Sequence, residues 1–261
     1  YKNLNFSAYT ISKYLKISKN DRPLMTLPLS YVYGLSVLNS HIIKRATIYL
    51  ASENFLNRKF WEIIAENKIT TFPLVPYQVE MLHKINFGKF DLNYIKYVTI
   101  AGGKTTVQLL KNIYKICKDK KIKLFCMYGQ AEATSRISYL DPKYLPQKIG
   151  SIGKPIIGGK LSIINKNGKM ISAKNIKGEL IYKGKNVMLG YSNSYKDLSN
   201  FLKQVKNLFT GDIGYKDNDN FFYITGRKSR DIKIFSNRIN LDEIEAILKN
   251  KKFDCRCVSK N

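Results

Sequence analysis

Residues 95–128 read IKYVTIAGGKTTVQLLKNIYKICKDKKIKLFCMY. The first six residues, Ile95 to Ile100, are rich in β-branched and aromatic side chains and predict a strand. Two glycines interrupt it, and Thr105 is placed to cap a helix. In that helix Val107, Leu110, Ile113, Tyr114 and Cys117 recur at spacings of three and four, the period of one helical face. Lys123 to Met127 then returns to a strand pattern. A strand, a crossover helix and a second strand of this length build a parallel pair. The same alternation extends upstream. Ala46–Leu50 and Ile69–Val75 read as strands, and Phe55–Asn67 reads as a helix with Phe60, Ile63 and Ile64 on one side. Pro76 is a good first residue for a helix running to Ile85, because a proline ring presets the helical φ. The expected class is therefore α/β, with a parallel sheet covered on both faces.

Beyond Gly150 the pattern becomes β-rich. Lys160 to Ser172 reads as two strand runs joined at Asn167-Gly168, a pair suited to a two-residue turn with positive φ at both positions. Glu179–Tyr182, Val187–Tyr191 and Phe221–Thr225 continue as short strands. From Ser229 come one strand, Ile232–Phe235, and one helix, Leu241–Leu248, opened by Asn240. So short a remainder does not hold a core alone. The expected division is a parallel α/β subdomain over 1–150, a β-rich subdomain over 151–228, and the truncated start of a small α+β domain over 229–261.

The chain has 261 residues, 44% of them hydrophobic and 25% charged, a composition that excludes wholesale disorder. The formal net charge is +26, which invites a nucleic-acid or anionic-membrane reading. The lysines, however, are spread along nearly every segment, and the densest cluster is only Lys118 to Lys123. A lysine-rich composition accounts for this better than a dedicated polyanion site. A basic nucleic-acid-binding protein stays as a rival, and it predicts tight binding with a steep salt dependence. Four cysteines and two histidines offer neither a zinc framework nor the disulfide scaffold of a small secreted domain. With no apolar run long enough to span a bilayer, and no charged-then-apolar leader, the expectation is a cytoplasmic protein with no membrane span. The chain opens at Tyr1 rather than Met and is expected to be part of something longer.

In open α/β sheets ligands collect beyond the carboxyl ends of the strands, and two such ends carry unusual residues. The first is Ala101-Gly102-Gly103-Lys104-Thr105-Thr106. It ends like a phosphate-cradling loop, but Val98 stands where that motif needs its first glycine. The better reading is a strand end where Gly102 and Gly103 let a flat ligand press against the backbone. The second end is Tyr128-Gly129-Gln130-Ala131-Glu132. It offers a stacking face, close backbone approach and an acid placed to hold a cation, although taken alone a helix-capping or solvated glutamate is the better explanation. A third cluster is Thr210-Gly211-Asp212, whose carboxylate suits a pair of hydroxyls such as those of a ribose. The run Asp217-Asn218-Asp219-Asn220 lacks the glycine and closing Glu of a calcium loop and reads as a turn.

Taken in order, YGQAEAT, GSIGKP, GELIYKGKNVMLGYSN, LFTGDIGY and ITGRKSRDIKIFSNRINLDEIE resemble the adenylate-forming superfamily. This group includes acyl-CoA synthetases, peptide-synthetase adenylation domains and luciferase. LPLSYVYGLS resembles its acyl-pocket motif, so the likeness covers essentially the whole chain. It implies an AMP-forming ligase: a carboxylate attacks the α-phosphate of ATP with Mg²⁺, and a thiol of CoA or of a carrier-protein phosphopantetheine takes the acyl group. By this resemblance Tyr128 stacks on the adenine, with Gly102, Gly103, Gly129 and Gln130 bordering the nucleotide. Glu132 holds Mg²⁺, Asp212 accepts the ribose hydroxyls, and Arg227 reaches the ribose or phosphate side. Tyr31, Gly34 and Leu35 line the acid's pocket, Ser229 is the pivot of a mobile domain, and Lys233 acts in the second step.

Departures from the family pattern accompany these matches. Ala131 stands where the family has Thr, removing a hydroxyl contact worth ~1–3 kcal/mol. Tyr31 replaces a frequent His, and Ser236 and Asn220 replace glycines. The family's phosphate-gripping loop would lie upstream of Tyr1, and its adenylation lysine beyond Asn261. The chain alone is therefore expected not to complete adenylation, and a non-catalytic AMP- or acyl-binding remnant is the alternative. No Asp stands in the pocket motif to hold an α-amino group, which favours a plain carboxylic acid over an amino acid.

Overall fold

The computed structural model describes residues 1–51, 53–200, 207–234, 237–251, 253 and 255–258. At its centre is a five-stranded sheet built from β3 (Thr71–Leu74), β4 (Tyr97–Ile100), β5 (Lys123–Tyr128), β6 (Ser138–Leu140) and β7 (Lys154–Pro155), in that spatial order. The β3–β4 and β4–β5 pairs are parallel, as the crossover pattern predicts, while β5–β6 and β6–β7 are antiparallel. The sheet is thus parallel where helices cross over and antiparallel where short loops replace them. A parallel pair, β1 (Leu24–Met25) and β2 (Tyr49–Leu50), reaches this sheet through a bridge between Pro23 and Thr71.

Side-chain alternation sends the sheet's residues into two cores. Phe72, Val98, Ile100 and Leu124 face one cluster, formed with α3 (Arg58–Glu66), α4 (Pro76–Lys84) and α5 (Val107–Asp119). Tyr97, Phe125 and Met127 face the other, under α1 (Lys2–Tyr14) and α2 (Val32–Ile42). Each face therefore buries its own set of apolar side chains, the dominant favourable term in folding. A second sheet is antiparallel, in the order β11 (Phe222–Arg227), β10 (Leu208–Lys216), β9 (Gly178–Lys183) and β8 (Lys160–Ile164), over a core of Leu161, Ile163, Leu180, Tyr182 and Phe222. The hairpin of β12 (Asp231–Ile234) and β13 (Asn237–Asn240) leads into α7 (Leu241–Asn250).

Several local expectations are corrected. The helix cap is Thr106, whose hydroxyl accepts from Leu109 N, and not Thr105. Ala46–Leu50 shrinks to the two residues of β2, and Phe55–Asn67 starts only at Arg58, where Asn57 caps it by accepting from Lys59 N. Only Gly168 of the Asn167-Gly168 pair has positive φ, +74°, and a single bridge, Ile164 to Met170, follows the turn. Val187–Tyr191 forms no strand; its backbone is spent on other contacts described below. The Asp/Asn run is a turn as read. The Asp217 carboxylate accepts from Asp219 N and Phe221 N, at 3.0 and 2.8 Å. Asn220 takes φ +63°, a left-handed conformation that Asn tolerates in place of glycine.

Candidate functional site

The two sheets meet where β5 ends and β10 bulges. The register of β10 against β9 shifts between Phe209 and Ile213, and Gly211 sits in that interval with φ +71°. A bulge of this kind re-aims a side chain, and here it delivers the Asp212 carboxylate, only 3% exposed. Tyr128 donates its hydroxyl to Oδ2 at 2.5 Å, and Gln130 donates Nε2 to the same oxygen at 3.0 Å. Arg227 donates Nε to Oδ1 at 3.0 Å. Thr210 fixes the bulge, accepting from Asp212 N at 3.1 Å and donating to Leu180 O at 2.8 Å. Burial, then the neighbouring Asp212 charge, raises the Tyr128 phenol well above its ordinary pKa, so it stays a neutral donor.

Four predicted residues, Tyr128, Gln130, Asp212 and Arg227, are thereby brought together around one carboxylate. Oδ2 already accepts two hydrogen bonds and Oδ1 accepts one, and an ionised carboxylate has about four acceptor positions. A pair of hydroxyls therefore needs one of these donors to leave. Release of Tyr128 would free both a lone pair and its ring.

Gly129 is required by space, because a Cβ there would collide with the carbonyl oxygen of Ser135. The turn that follows contains the 3-10 segment Ala131–Ala133 and two consecutive left-handed residues, Thr134 (φ +45°) and Ser135 (φ +77°). Such strain persists only where the surroundings over-determine it, and here Asn186 does so. Fully buried, it donates Nδ2 to Ala133 O (2.7 Å) and Arg136 O (2.6 Å), and accepts from Tyr182 Oη at 2.9 Å. Met188 N donates to Glu132 O at 2.7 Å, which explains why the 187–191 backbone joins no sheet. Asn186 was missed from sequence; its only signal was its place inside a motif string. Glu132 is half-buried and accepts from Tyr191 Oη at 2.6 Å, apart from the Asp212 cluster.

At the end of β4, Gly102 has φ +89°, and a Cβ would run into the Tyr31 hydroxyl. Gly103 packs against Pro76. Tyr31 therefore does sit at the glycine pair, but the other two pocket candidates do not join it. Gly34 is needed for close packing of α2 on the Pro28 carbonyl. Leu35 turns toward α1, beside Leu4, Ala8 and Thr134. A cleft of about 440 Å³ is lined by Leu27, Pro28 and Leu29, the opening of the LPLSYVYGLS motif, with Phe55, Phe60 and Gln78, but by none of Tyr31, Gly34 and Leu35.

Ser229 is exposed in the 3-10 segment Lys228–Arg230. Asp242, at the start of α7, ties this segment down: it accepts from Arg227 N at 2.9 Å and from Arg230 Nε at 2.8 Å. Lys233 stands opposite Arg238 in the β12–β13 register; both side chains, and all of Ser236, lie outside the described residues.

A magnesium ion demands hard oxygen ligands and keeps few protein carboxylates when phosphates complete its shell. Glu132 fits that donor chemistry once Tyr191 yields. Among the described residues no group of three or more His, Cys, Asp or Glu side chains is arranged to hold a metal by itself, and none of their helices is long and apolar enough to cross a membrane.

Residues 1–192 match the family model described as AMP-binding enzyme. The chain belongs to the AMP-binding enzyme family. A 2-succinylbenzoate–CoA ligase of Geobacillus sp. (strain WCH70) is 31% identical over 251 residues, 95% of this chain and 49% of the relative. The O-succinylbenzoate coenzyme A synthetase of Bacillus subtilis, solved with its acyl-adenylate intermediate, superposes with a TM-score of 0.82 at 29% identity, over 96% of this chain and 50% of that one. The same enzyme solved with ATP and magnesium gives a TM-score of 0.80. The chain spans about half the length of the curated relatives it matches. The mixed α/β fold and the family expected from sequence are thus those found.

Proposed function

We propose that the protein carrying this chain is an AMP-forming acid–CoA ligase, which converts a carboxylic acid to an acyl-adenylate with ATP and passes the acyl group to CoA. The observation that carries this reading is the Asp212 cluster. A buried carboxylate held by Tyr128, Gln130 and Arg227 is suited to a cis-diol, and a strand-end glycine pair adjoins a tyrosine on the acid's side. A carboxylate is a poor acyl donor until one oxygen becomes a phosphate leaving group, so the protein's work is positioning and charge neutralisation. Asp212 takes the ribose, with Arg227, exposed at its rim, free to follow ribose or phosphate. Tyr128 offers its ring to the adenine, bordered by Gly102, Gly103 and Gly129. Magnesium at Glu132 would supply charge neutralisation of the phosphates.

In this reading 1–150 and 151–228 are the two parts of the adenylate-binding body, and 229–261 opens the mobile domain that pivots at Ser229. Lys233 serves thiol transfer, and the acid's pocket begins at Tyr31. The names of the relatives favour CoA over a carrier protein as acceptor.

Acid-dependent ATP–pyrophosphate exchange by the full-length protein tests the reading. Exchange with 2-succinylbenzoate or another aryl acid, abolished by Asp212→Ala, is the expected result. Ala131, exposed and without a hydroxyl, keeps the second reading alive. A protein that binds AMP but exchanges with no acid would be the non-catalytic remnant.

A further inference from the structure

Glu132, the carboxylate suited to a metal ion, stands at the start of a turn whose backbone is strained. Thr134 and Ser135 take φ +45° and +77° in succession. That region disfavours every residue but glycine, and a β-branched one most of all. The shape of the turn is imposed by a distant stretch, residues 186–191. Asn186 Nδ2 donates to Ala133 O and Arg136 O, and the Thr134 hydroxyl donates to Asn186 O at 3.0 Å. The same stretch meets Glu132 at both ends. Met188 N donates to its carbonyl at 2.7 Å, and Tyr191 Oη to its carboxylate at 2.6 Å.

Asn186 is the fixed point of this arrangement. It is 0% exposed, and its Oδ1 accepts from the hydroxyl of Tyr182, a fully buried residue of β9. From α1, Asn3 donates to Val187 O and Ser7 to Thr134 O, so one helix backs both the stretch and the turn. The ribose receptor is held separately. Asp212 lies on β10, and Gln130, which precedes the turn, is tied to Thr210 O at 2.8 Å. A displaced turn would therefore move Glu132 relative to Asp212. Groups that orient a metal ligand matter nearly as much as the ligand itself, because a site works only when its geometry is closely held. We propose that Asn186 is the positioning residue of the metal site: it holds the 131–136 turn in its left-handed form and so fixes where the Glu132 carboxylate stands relative to the Asp212 receptor. This rests on the ligase reading, in which Glu132 holds Mg²⁺.

The test is calorimetry on the full-length protein. Its probes are the α,β-methylene analogue of ATP, uncleavable because carbon replaces the bridging oxygen, in Mg²⁺ and in EDTA, and AMP in EDTA. The wild-type protein is expected to bind the analogue on the order of tenfold more tightly with Mg²⁺ than without. Asn186→Ala should cut that gain to under about threefold, while AMP affinity stays within about threefold of wild type. Adding Ser135→Gly, which adopts positive φ freely, should restore most of the gain, a rescue that general loosening of the fold would not allow. Tyr182→Phe removes only the hydroxyl that orients the Asn186 amide. It should lower the gain in the same direction, and it replaces the alanine variant if that one does not fold. An unchanged gain in the folded variant would overturn the proposal, as would an equal loss for AMP and for the metal complex that glycine does not repair. Glu132→Gln should abolish the gain. A gain that survives Glu132→Gln, or a wild-type protein that gains nothing from Mg²⁺, would instead remove the metal at Glu132 from the ligase reading, and the inference with it.

Discussion

Asp212, at the bulge of β10, and Arg136, between β5 and β6, are both buried charges, and the chain treats them in opposite ways. Asp212 is 3% exposed and receives hydrogen bonds from three side chains. Arg136 is 1% exposed and has two nitrogens with no partner. A buried charge met by several donors is a finished receptor, whose geometry exists before the ligand arrives. In the proposed ligase the receptor for the ribose is thus built before the nucleotide arrives. Arg136 lies over the Tyr33 ring with the Tyr14 hydroxyl as its polar neighbour, and among the described residues no carboxylate pairs with it.

Removing the finished receptor should have the largest effect. Asp212→Ala is expected to weaken AMP binding to the full-length protein on the order of 100-fold, because charged hydrogen bonds contribute about 1.5–3 kcal/mol each. Arg227 is left behind but is 63% exposed, so water takes over its solvation. Calorimetric affinity within threefold of wild type would show that the ribose does not bind there.

Arg136 makes the reverse prediction for stability. Replacing Arg136 with Met substitutes an apolar chain of similar length beside Tyr14 and Tyr33, and removes an interior charge that no carboxylate pairs with among the described residues. Such exchanges stabilise by about 1–4 kcal/mol, so the unliganded variant should unfold at higher urea concentration than wild type. A variant less stable than wild type without ligand would mean that the guanidinium is compensated within the protein after all.

How much of this was legible in the sequence follows the same division. The β4–α5–β5 unit was readable because strand and helix periods are local properties, and Pro76 and Asn240 mark helix starts by their own chemistry. Asp212, Tyr128, Gln130 and Arg227 were legible through ordered motifs. Their mutual hydrogen bonding was not, because Tyr128 and Asp212 are 84 positions apart and only the bulge at Gly211 joins them. Gly34 was assigned to the pocket for its place in a motif, whereas its reason is the close approach of α2 to the Pro28 carbonyl. Arg136 carried no signal, since an arginine in a polar-looking string gives no hint that it is buried. Asn186 was silent for a related reason: its work is to hold the strained Thr134-Ser135 backbone, a conformation that no local pattern in the sequence announces.

The rim of the finished receptor should contribute less than its floor. Arg227→Ala breaks the Nε–Oδ1 contact at 3.0 Å, but the arginine is mostly solvated. The loss of stability should be below about 1 kcal/mol and should shrink further in added salt. Urea unfolding of wild type and variant at low and high ionic strength checks this; a loss above 2 kcal/mol that salt leaves unchanged would place Arg227 in the core of the receptor.

His41 provides the third solution to burial, which is to give up the charge. It is 2% exposed, and burial, opposed by the Val37 carbonyl and the Asp21 charge, lowers its pKa. Nδ1 lies 2.8 Å from Val37 O and Nε2 3.3 Å from Tyr97 Oη, which suits a neutral ring protonated on Nδ1. The unfolded chain takes up a proton near pH 6.5 that the folded chain refuses, so stability must fall as pH drops through that value. Between pH 7 and 6 the loss should be at most about 0.7 kcal/mol. The carboxylates held below their usual range, Asp21 and Asp217, bear on a lower window and leave this one clear. Urea midpoints of wild type should fall over that interval, and those of His41→Gln should stay level. An equal slope in both would assign the proton to another group.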